Sequence, residues 1–452
     1  MIRFNTQLNK IADKYRKDDP KLWQDLKSNT CSEPLPCSAY CLPKDHKMGD
    51  LKGRPIHAAT DTPATRLSKF MANSLNTLLR HVPAHLKNTE EFIKFLTDID
   101  GEVKGFCSLD VCNLYGSIPL EDIDTTTPSV FSVAKHFFSK YKSDCELKGL
   151  NDDDFESLLR LCLTSDVILI GDKGYTQKTG LAMGNNLAPA LAIIYMNEID
   201  IQILCQFQDK ALMSLKRYID DIFIAWMSDG TTAEEILSTA NSLNTALKFT
   251  IEIPQDNQLP FLDTMVSLDH DERSFSTTLY VKPIHSQYIV PWDSHGPISS
   301  KRAILIGETR RAISRSTDPP SRTLSLRKIA SIFIHNGYPK KFVKTTIKRT
   351  LQNAPTTEDH QRDIYLKMPF INEELKRRTL SCLLYDDLDH WLQSEELEAR
   401  TCSVFMHCGA QFRSSMTVED FTAQLHDRRE NDFHKDINFD VIVKFAEKKK
   451  GA

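Results

Sequence analysis

No two cysteines of this chain form a CxxC pair, although there are eleven, an odd number scattered along 452 residues. That spacing excludes a disulfide framework and points to a reduced compartment. The N-terminus lacks the apolar stretch of a secretory signal; Arg3, Lys10, Lys14, Arg16 and Lys17 mix with polar residues instead. No apolar run reaches the roughly 20 residues of a membrane span. An intracellular protein with no membrane partner is therefore expected. Tandem repeats and long low-complexity segments are missing too. What is present is a 40% hydrophobic composition, enough for a sizeable core and two or three subdomains.

The net charge of −4 argues against a nucleic-acid partner, but the average conceals an asymmetry. From Ser299 to Thr350, thirteen Lys and Arg face only Glu308 and Asp318, a local +11 that leaves −15 for the remainder. Such a block either holds a phosphate backbone or forms a solvated helical face.

The hydrophobic pattern predicts a polar helix over Asn5–Asn29, then a loop marked by Pro34, Pro36 and Pro43. Helices are predicted at Arg66–Leu79, Thr89–Leu96, Asp152–Thr164, Leu187–Ile201 and Thr231–Leu247. Strands are predicted at Gly105–Val111, Val167–Ile170, Tyr175–Lys178, Phe249–Ile253 and Phe261–Leu268. Lys216–Trp226 reads as two short strands meeting at Asp220–Asp221, and the chain from Ser299 onward as mainly helical. The expected class is α+β followed by a helical region.

Two segments place aspartates at apolar strand ends: Phe106-Cys-Ser-Leu-Asp110-Val-Cys-Asn-Leu-Tyr115 and Arg217-Tyr-Ile-Asp220-Asp221-Ile-Phe-Ile-Ala. Aspartate is depleted in strands, and a buried, unpaired carboxylate is costly. A divalent cation compensates directly: Mg²⁺ takes carboxylates together with substrate phosphates. Two such ions activate an attacking hydroxyl and stabilise a leaving pyrophosphate. Asp152–Asp154, by contrast, reads as an ordinary surface turn.

These residues resemble a known family. Tyr218-Ile-Asp220-Asp221 looks like the Tyr-x-Asp-Asp box of reverse transcriptases, and Ser108–Tyr115 like their first catalytic motif. Gly180-Leu-Ala-Met183-Gly184-Asn-Asn-Leu-Ala-Pro189 resembles the glycine-containing segment between the two. Further matches resemble Penelope-like retroelements, relatives of telomerase. They are Tyr40-Cys-Leu-Pro-Lys44-Asp-His-Lys47, Arg54-Pro-Ile, Leu259-Pro-Phe-Leu-Asp263, Tyr280-Val-Lys282-Pro-Ile-His285 and His335-Asn-Gly-Tyr-Pro339. The resemblance runs from about Tyr40 to Phe370.

It implies a right-hand polymerase with fingers and palm, followed by a helical thumb. The implied boundaries are an N-terminal helical extension at 1–39, fingers and palm at 40–270, thumb at 271–370 and a further helical region at 371–452. The implied activity is RNA-directed DNA polymerisation from an RNA template, a DNA primer and dNTPs. Two Mg²⁺, with Mn²⁺ as the alternative, would be held by Asp110, Asp220 and Asp221. Backbone at Val111 would support the triphosphate, and Tyr115 would screen the sugar 2′ position. Arg54 would neutralise phosphate, while Lys44 and Lys47 either do the same or are surface charge. Gly184 would permit close approach to the incoming base pair; Met183 stands where many relatives carry Gln. Lys248 is either a proton donor to pyrophosphate or a solvated helix-end lysine, and Asp263 fixes a turn. Lys301, Arg302, Arg310, Arg311, Lys340 and Lys341 would grip the template–primer backbone.

No Gly-Ile-Tyr and Tyr-Ile-Gly pair of the endonuclease common in Penelope-like proteins occurs, so an endonuclease-lacking or truncated type is expected. Cys382, Cys402, His407, Cys408, His426 and His434 fit no compact zinc finger. The alternatives are an RNA-dependent RNA polymerase, which Tyr115 opposes, and an impaired or domesticated RNA-binding protein, which the intact aspartates oppose. Retroelement chemistry and the basic Lys448-Lys-Lys450 tail suggest nuclear action.

Overall fold

The structure is a computed structural model that describes residues 2–43, 53–170, 173–208, 213–269, 274–282 and 287–352, with two strands at 400–406 and 441–447. Lys44, Lys47 and five of the six candidate zinc residues (all but Cys402) lie outside the described residues. The chain divides into two compact units. One comprises residues 1–286 and 312–325; the other comprises 287–311 and everything from 326 onward.

The first unit opens with α1 (Ile2–Ala12) and α2 (Pro20–Ser28) in place of one long helix. Pro20 cannot continue a helix but suits the first position of one, and the Asp19 carboxylate accepts the Leu22 N–H at 2.9 Å. The proline-marked loop gives way to a strand, β1 (Cys37–Pro43), with Pro43 at its last position, where a missing N–H is tolerated. It pairs antiparallel with β2 (Gly53–Ala58), setting Tyr40 opposite Ile56 and Leu42 opposite Arg54.

Helices α3 (Thr65–Leu78) and α4 (Thr89–Thr97) follow, the latter capped by the Asn88 side chain. Next come β3 (Gly105–Val111), the short α5 (Leu114–Ser117) and α6 (Val130–Tyr141). Helix α7 (Asp152–Thr164) corrects the reading of Asp152–Asp154 as a surface turn. The three acids form its first turn, where the helix dipole favours negative charge. Asp154 is buried there and accepts the Tyr15 hydroxyl at 2.8 Å. Strands β4 (Ile168–Ile170) and β5 (Lys173–Tyr175) complete a sheet of order β2-β1-β4-β5.

Helix α8 (Ala188–Phe207) amends the expectation of no long apolar run. By length and composition its 20 residues would pass for a membrane span, but 67% of that window is buried inside the fold. It packs in the larger core with α6 and α9 (Ala233–Ser242).

The central sheet joins β6 (Met213–Tyr218), β7 (Asp221–Trp226), β3 and β8 (Phe249–Glu252) in the order β6-β7-β3-β8, every pairing antiparallel. Both of its faces are covered, which is why β7 reads as an unbroken apolar run. Cys107, Leu109, Ile222 and Ile224 face the helical core. Phe106 and Phe223 face a second core with Phe92, Phe261 and Phe275, whose rings meet at centroid distances of 4.5–6.0 Å. That second core is closed by β9 (Gln258–Phe261), β10 (Thr264–Asp269) and β11 (Ser274–Leu279), an antiparallel sheet of order β11-β10-β9. The strand expected at Phe261–Leu268 is thus two strands. Between them, Leu262 adopts φ +53° and Asp263 accepts the Arg315 guanidinium and the Thr89 hydroxyl.

Three helices follow: α10 (Ile298–Ser314), α11 (Pro319–His335) and α12 (Lys340–Gln352). Beyond them the expectation of helix is corrected in part. β12 (Arg400–Met406) and β13 (Val441–Glu447) pair antiparallel, in keeping with their β-branched and aromatic composition.

Candidate active site

Pairing of β3 with β7 sets Asp110 directly opposite Asp221, at the end of both strands. Asp220 precedes β7 in a two-residue turn, Ile219-Asp220, that closes the β6–β7 hairpin on the Tyr218–Asp221 pair. So tight a hairpin needs a positive φ in its turn. Ile219 supplies it at +56°, a value a β-branched residue rarely takes. The conformation is held from below. Arg217, fully buried at 0% exposure, donates from Nη1 to the Ile219 carbonyl at 3.0 Å. Its remaining donors engage both carboxylate oxygens of Asp200 at 2.7–3.0 Å and the Ile193 carbonyl at 3.0 Å.

Two of the three carboxylates, Asp220 and Asp221, resist ionisation. Burial, then the neighbouring charges of Asp220 and Asp110, push the Asp221 carboxyl up to about 7, with Lys282 opposing. Asp220 is raised by burial and by Asp110, with Arg54 and Arg217 opposing. Lys282 and Glu252 both face Asp221 electrostatically, and the sequence reading assigned neither of them a role. An oxygen-only, mutually repelling donor set is the kind that Mg²⁺ stabilises, completed by substrate phosphate. Among the described residues no three His, Cys, Asp or Glu side chains close into a cage. The oxygen donors of Asp110, Asp220 and Asp221 fit a divalent cation whose remaining positions substrate phosphate and water would fill.

The chain after Asp110 turns sharply. Val111 is buried, and the Cys112 N–H donates to the Lys248 carbonyl at 2.8 Å. Asn113 takes φ +53° and starts α5, which carries Tyr115. Tyr115 is half-buried; its hydroxyl is pushed up by burial and by nearby Asp220 and Tyr218. Lys248 itself is exposed at the entry to β8.

The Gly180–Gly184 segment is strapped to two places. The Leu181 N–H donates to the Tyr115 carbonyl at 2.6 Å, and the Met183 carbonyl accepts the His57 N–H at 2.8 Å. A Cβ on Gly184 would lie 1.9 Å from the His57 carbonyl oxygen, and its φ of +126° is one that glycine alone takes easily. The close approach seen at Gly184 is thus to β2. Arg54, on the same strand, shares a sheet face with exposed Tyr40 and Leu42, and its charge reaches Asp220.

The basic residues of the helical segment divide. Lys301 must be corrected as a backbone-gripping residue. It is 4% exposed, and its ammonium is spent on the carbonyls of Trp292 and Ser294, both at 2.6 Å. Arg302 lies over the Phe342 ring at 5.4 Å, and Arg311 pairs with Glu308 at 3.4 Å. Arg310, Lys340 and Lys341 are exposed, as are Lys344, Lys348 and Arg349 further along α12. The Asn336 side chain binds the Gln287 and Ile332 carbonyls at 2.8 Å, a structural duty for the His335–Pro339 motif.

Residues 46–253 match the family model "Reverse transcriptase (RNA-dependent DNA polymerase)", and residues 288–348 match "Animal helix-turn-helix domain". The matched stretch, 46–253, contains all of Asp110, Tyr115, Gly184, Asp220 and Asp221. The central sheet lies wholly inside the matched residues, and a helical region follows it. No curated protein matches the sequence.

Among solved structures, telomerase from Candida albicans with a TWJ fragment of telomeric RNA is 11% identical over 70% of this chain, with a TM-score of 0.42. The RNA-dependent RNA polymerase of a human picobirnavirus is 12% identical over 70%, with a TM-score of 0.44. Sicinivirus 3Dpol RNA-dependent RNA polymerase is 13% identical over 74%, with a TM-score of 0.42. The chain spans 59%, 58% and 71% of those three proteins.

Proposed function

We propose that this protein extends a DNA primer with dNTPs on an RNA template, as a reverse transcriptase of the Penelope-like type acting in the nucleus. The observation that carries the reading is the cross-strand pairing of Asp110 with Asp221, with Asp220 beside it on the hairpin turn, inside the reverse-transcriptase domain. Asp110 and Asp220 are the principal carboxylates for divalent metal and Asp221 a third. When bound, Mg²⁺ would supply charge neutralisation at the triphosphate and activate the primer hydroxyl.

The protein's own residues position the reactants. Arg54 offers a planar, charge-assisted fork to phosphate. Lys44 and Lys47 precede it in the same fingers segment. Backbone at Val111 supports the triphosphate; Met183 and Gly184 border the base pair. Tyr115 sets its ring beside Asp220, where a ribose 2′-hydroxyl would meet it. Lys248 remains a candidate proton donor to pyrophosphate. Residues 271–370 form the thumb, in which Arg302, Arg310, Arg311, Lys340 and Lys341 hold the template–primer backbone. The segments 1–39 and 371–452 are additions to that polymerase.

Primer extension on an RNA template with dNTPs and Mg²⁺ or Mn²⁺ tests the reading. Extension by the wild type, lost in Asp220→Ala, is expected. A folded wild type that binds RNA and extends nothing sinks it, and a preference for NTPs over dNTPs replaces it with RNA synthesis.

A further inference from the structure

The Arg217–Asp200 pair is conspicuous for what it costs. Taking two full charges out of water is expensive, and a buried ion pair is often no more stabilising than apolar residues of the same volume. Both side chains lie in the larger core, Arg217 at 0% and Asp200 at 1% exposure. A pair retained only for packing would need no third partner. Arg217 has one: Nη1 reaches past Asp200 to the Ile219 carbonyl at 3.0 Å. Ile219 is the residue in the strained left-handed conformation, and Asp220 follows it directly. The backbone at Arg217 is fixed as well. Its N–H donates to the Ala84 carbonyl at 2.7 Å, and its own carbonyl accepts the Leu86 N–H at 2.8 Å.

We infer that Arg217, oriented by Asp200, is a positioning residue that holds the Ile219 peptide and thereby fixes Asp220 and Asp221 against Asp110. The inference rests on the polymerase reading above. Asp200 sits on α8, so the arrangement brackets the hairpin to the longest helix of the core. Asp200 takes both Nε and Nη2 of the planar guanidinium, a bidentate grip that aims Nη1 at the turn. A lysine at 217 would keep the charge on Asp200 but has no second arm in that plane.

Two variants separate positioning from bulk stability. Arg217→Lys retains the ion pair, and the double variant Arg217→Met with Asp200→Leu replaces it with apolar volume. Both are compared with wild type by thermal melting, by hydrogen exchange of amides 213–226, and by single-nucleotide extension at varied dNTP and Mg²⁺ concentrations. The expected result is a cooperative melt, faster exchange confined to the hairpin, and a kcat lowered by roughly 100-fold with dNTP KM unchanged. That is the scale of a 1 Å misplacement of reacting groups. The half-saturating Mg²⁺ concentration should rise in parallel.

A folded variant with wild-type kcat and wild-type hairpin exchange overturns the inference. So does a loss of activity that only tracks the fraction of protein folded. A wild type inactive in the same assay would instead overturn the polymerase reading, and the exchange measurement would still judge the bracket on its own.

Discussion

At the scale of single residues, charge crowding is the dominant fact of the site. The Asp221 carboxyl titrates near 7, above its value in an unfolded chain, so the folded state holds a proton that the unfolded state has released. The metal-free protein should therefore lose stability as pH rises from about 4 to about 7, by at most about 1.4 kcal/mol per pH unit for this one group. Asp221→Asn should remove that slope and melt higher than wild type at pH 8 in EDTA. Urea midpoints at several pH values would check both statements, and a flat wild-type profile would refute them. Lys301 makes the opposite case, a cation with a purely internal duty. Lys301→Met should lower the melting temperature, because the Trp292 and Ser294 carbonyls lose their donor, yet leave the affinity for duplex and its salt dependence as in wild type.

At the scale of elements, the Gly180–Gly184 strap joins the Tyr115 turn to β2 through backbone hydrogen bonds. Gly184→Ala places a methyl group into the His57 carbonyl at a φ that alanine avoids. A destabilisation on the order of 2–4 kcal/mol is expected, read as a melting temperature several degrees lower. An unchanged melt would mean that the strap yields freely. Much at this scale was legible in the sequence. Alternation in Gly105–Val111 and the acids flanking an apolar run placed Asp110 and Asp220–Asp221 at strand ends, because a half-polar strand end is rare enough to notice; that the two strands pair is shown by the fold.

Strand β1 was not legible, because its prolines read as loop markers and its pairing partners lie from 10 to 131 residues away. Nor was the Arg217–Asp200 pair. Helix α8 is apolar on nearly every side, so no amphipathic stripe marks which way Asp200 points. Lys282 escaped for a related reason: its nearness to Asp221 is created by the fold across 61 positions of sequence.

At the scale of the whole molecule, a net charge of −4 coexists with a basic helical segment. Helix α12 presents Lys340, Lys341, Lys344, Lys348 and Arg349, all exposed and with no acid among its thirteen residues. Replacing Lys341, Lys344 and Lys348 together by alanine should weaken duplex binding at low salt. The slope of log K against log salt should shrink by up to about three, roughly 0.9 per lost phosphate contact. Fluorescence anisotropy across a salt series measures it, and an unaltered slope would remove α12 from the interface.

Long before any nucleotide is bound, α8 also matters to how the protein is made. As the nascent chain leaves the ribosome, Asp200 emerges seventeen residues ahead of Arg217. During that interval a segment that by length and composition would pass for a membrane span carries two acids, Glu198 and Asp200, before the arginine that pairs with Asp200 has been added. An aspartate at the centre of such a segment opposes insertion by about 2.5–3.5 kcal/mol. The acids of α8 therefore make this window a poor membrane span, and folding later pairs one of them with Arg217 of β6.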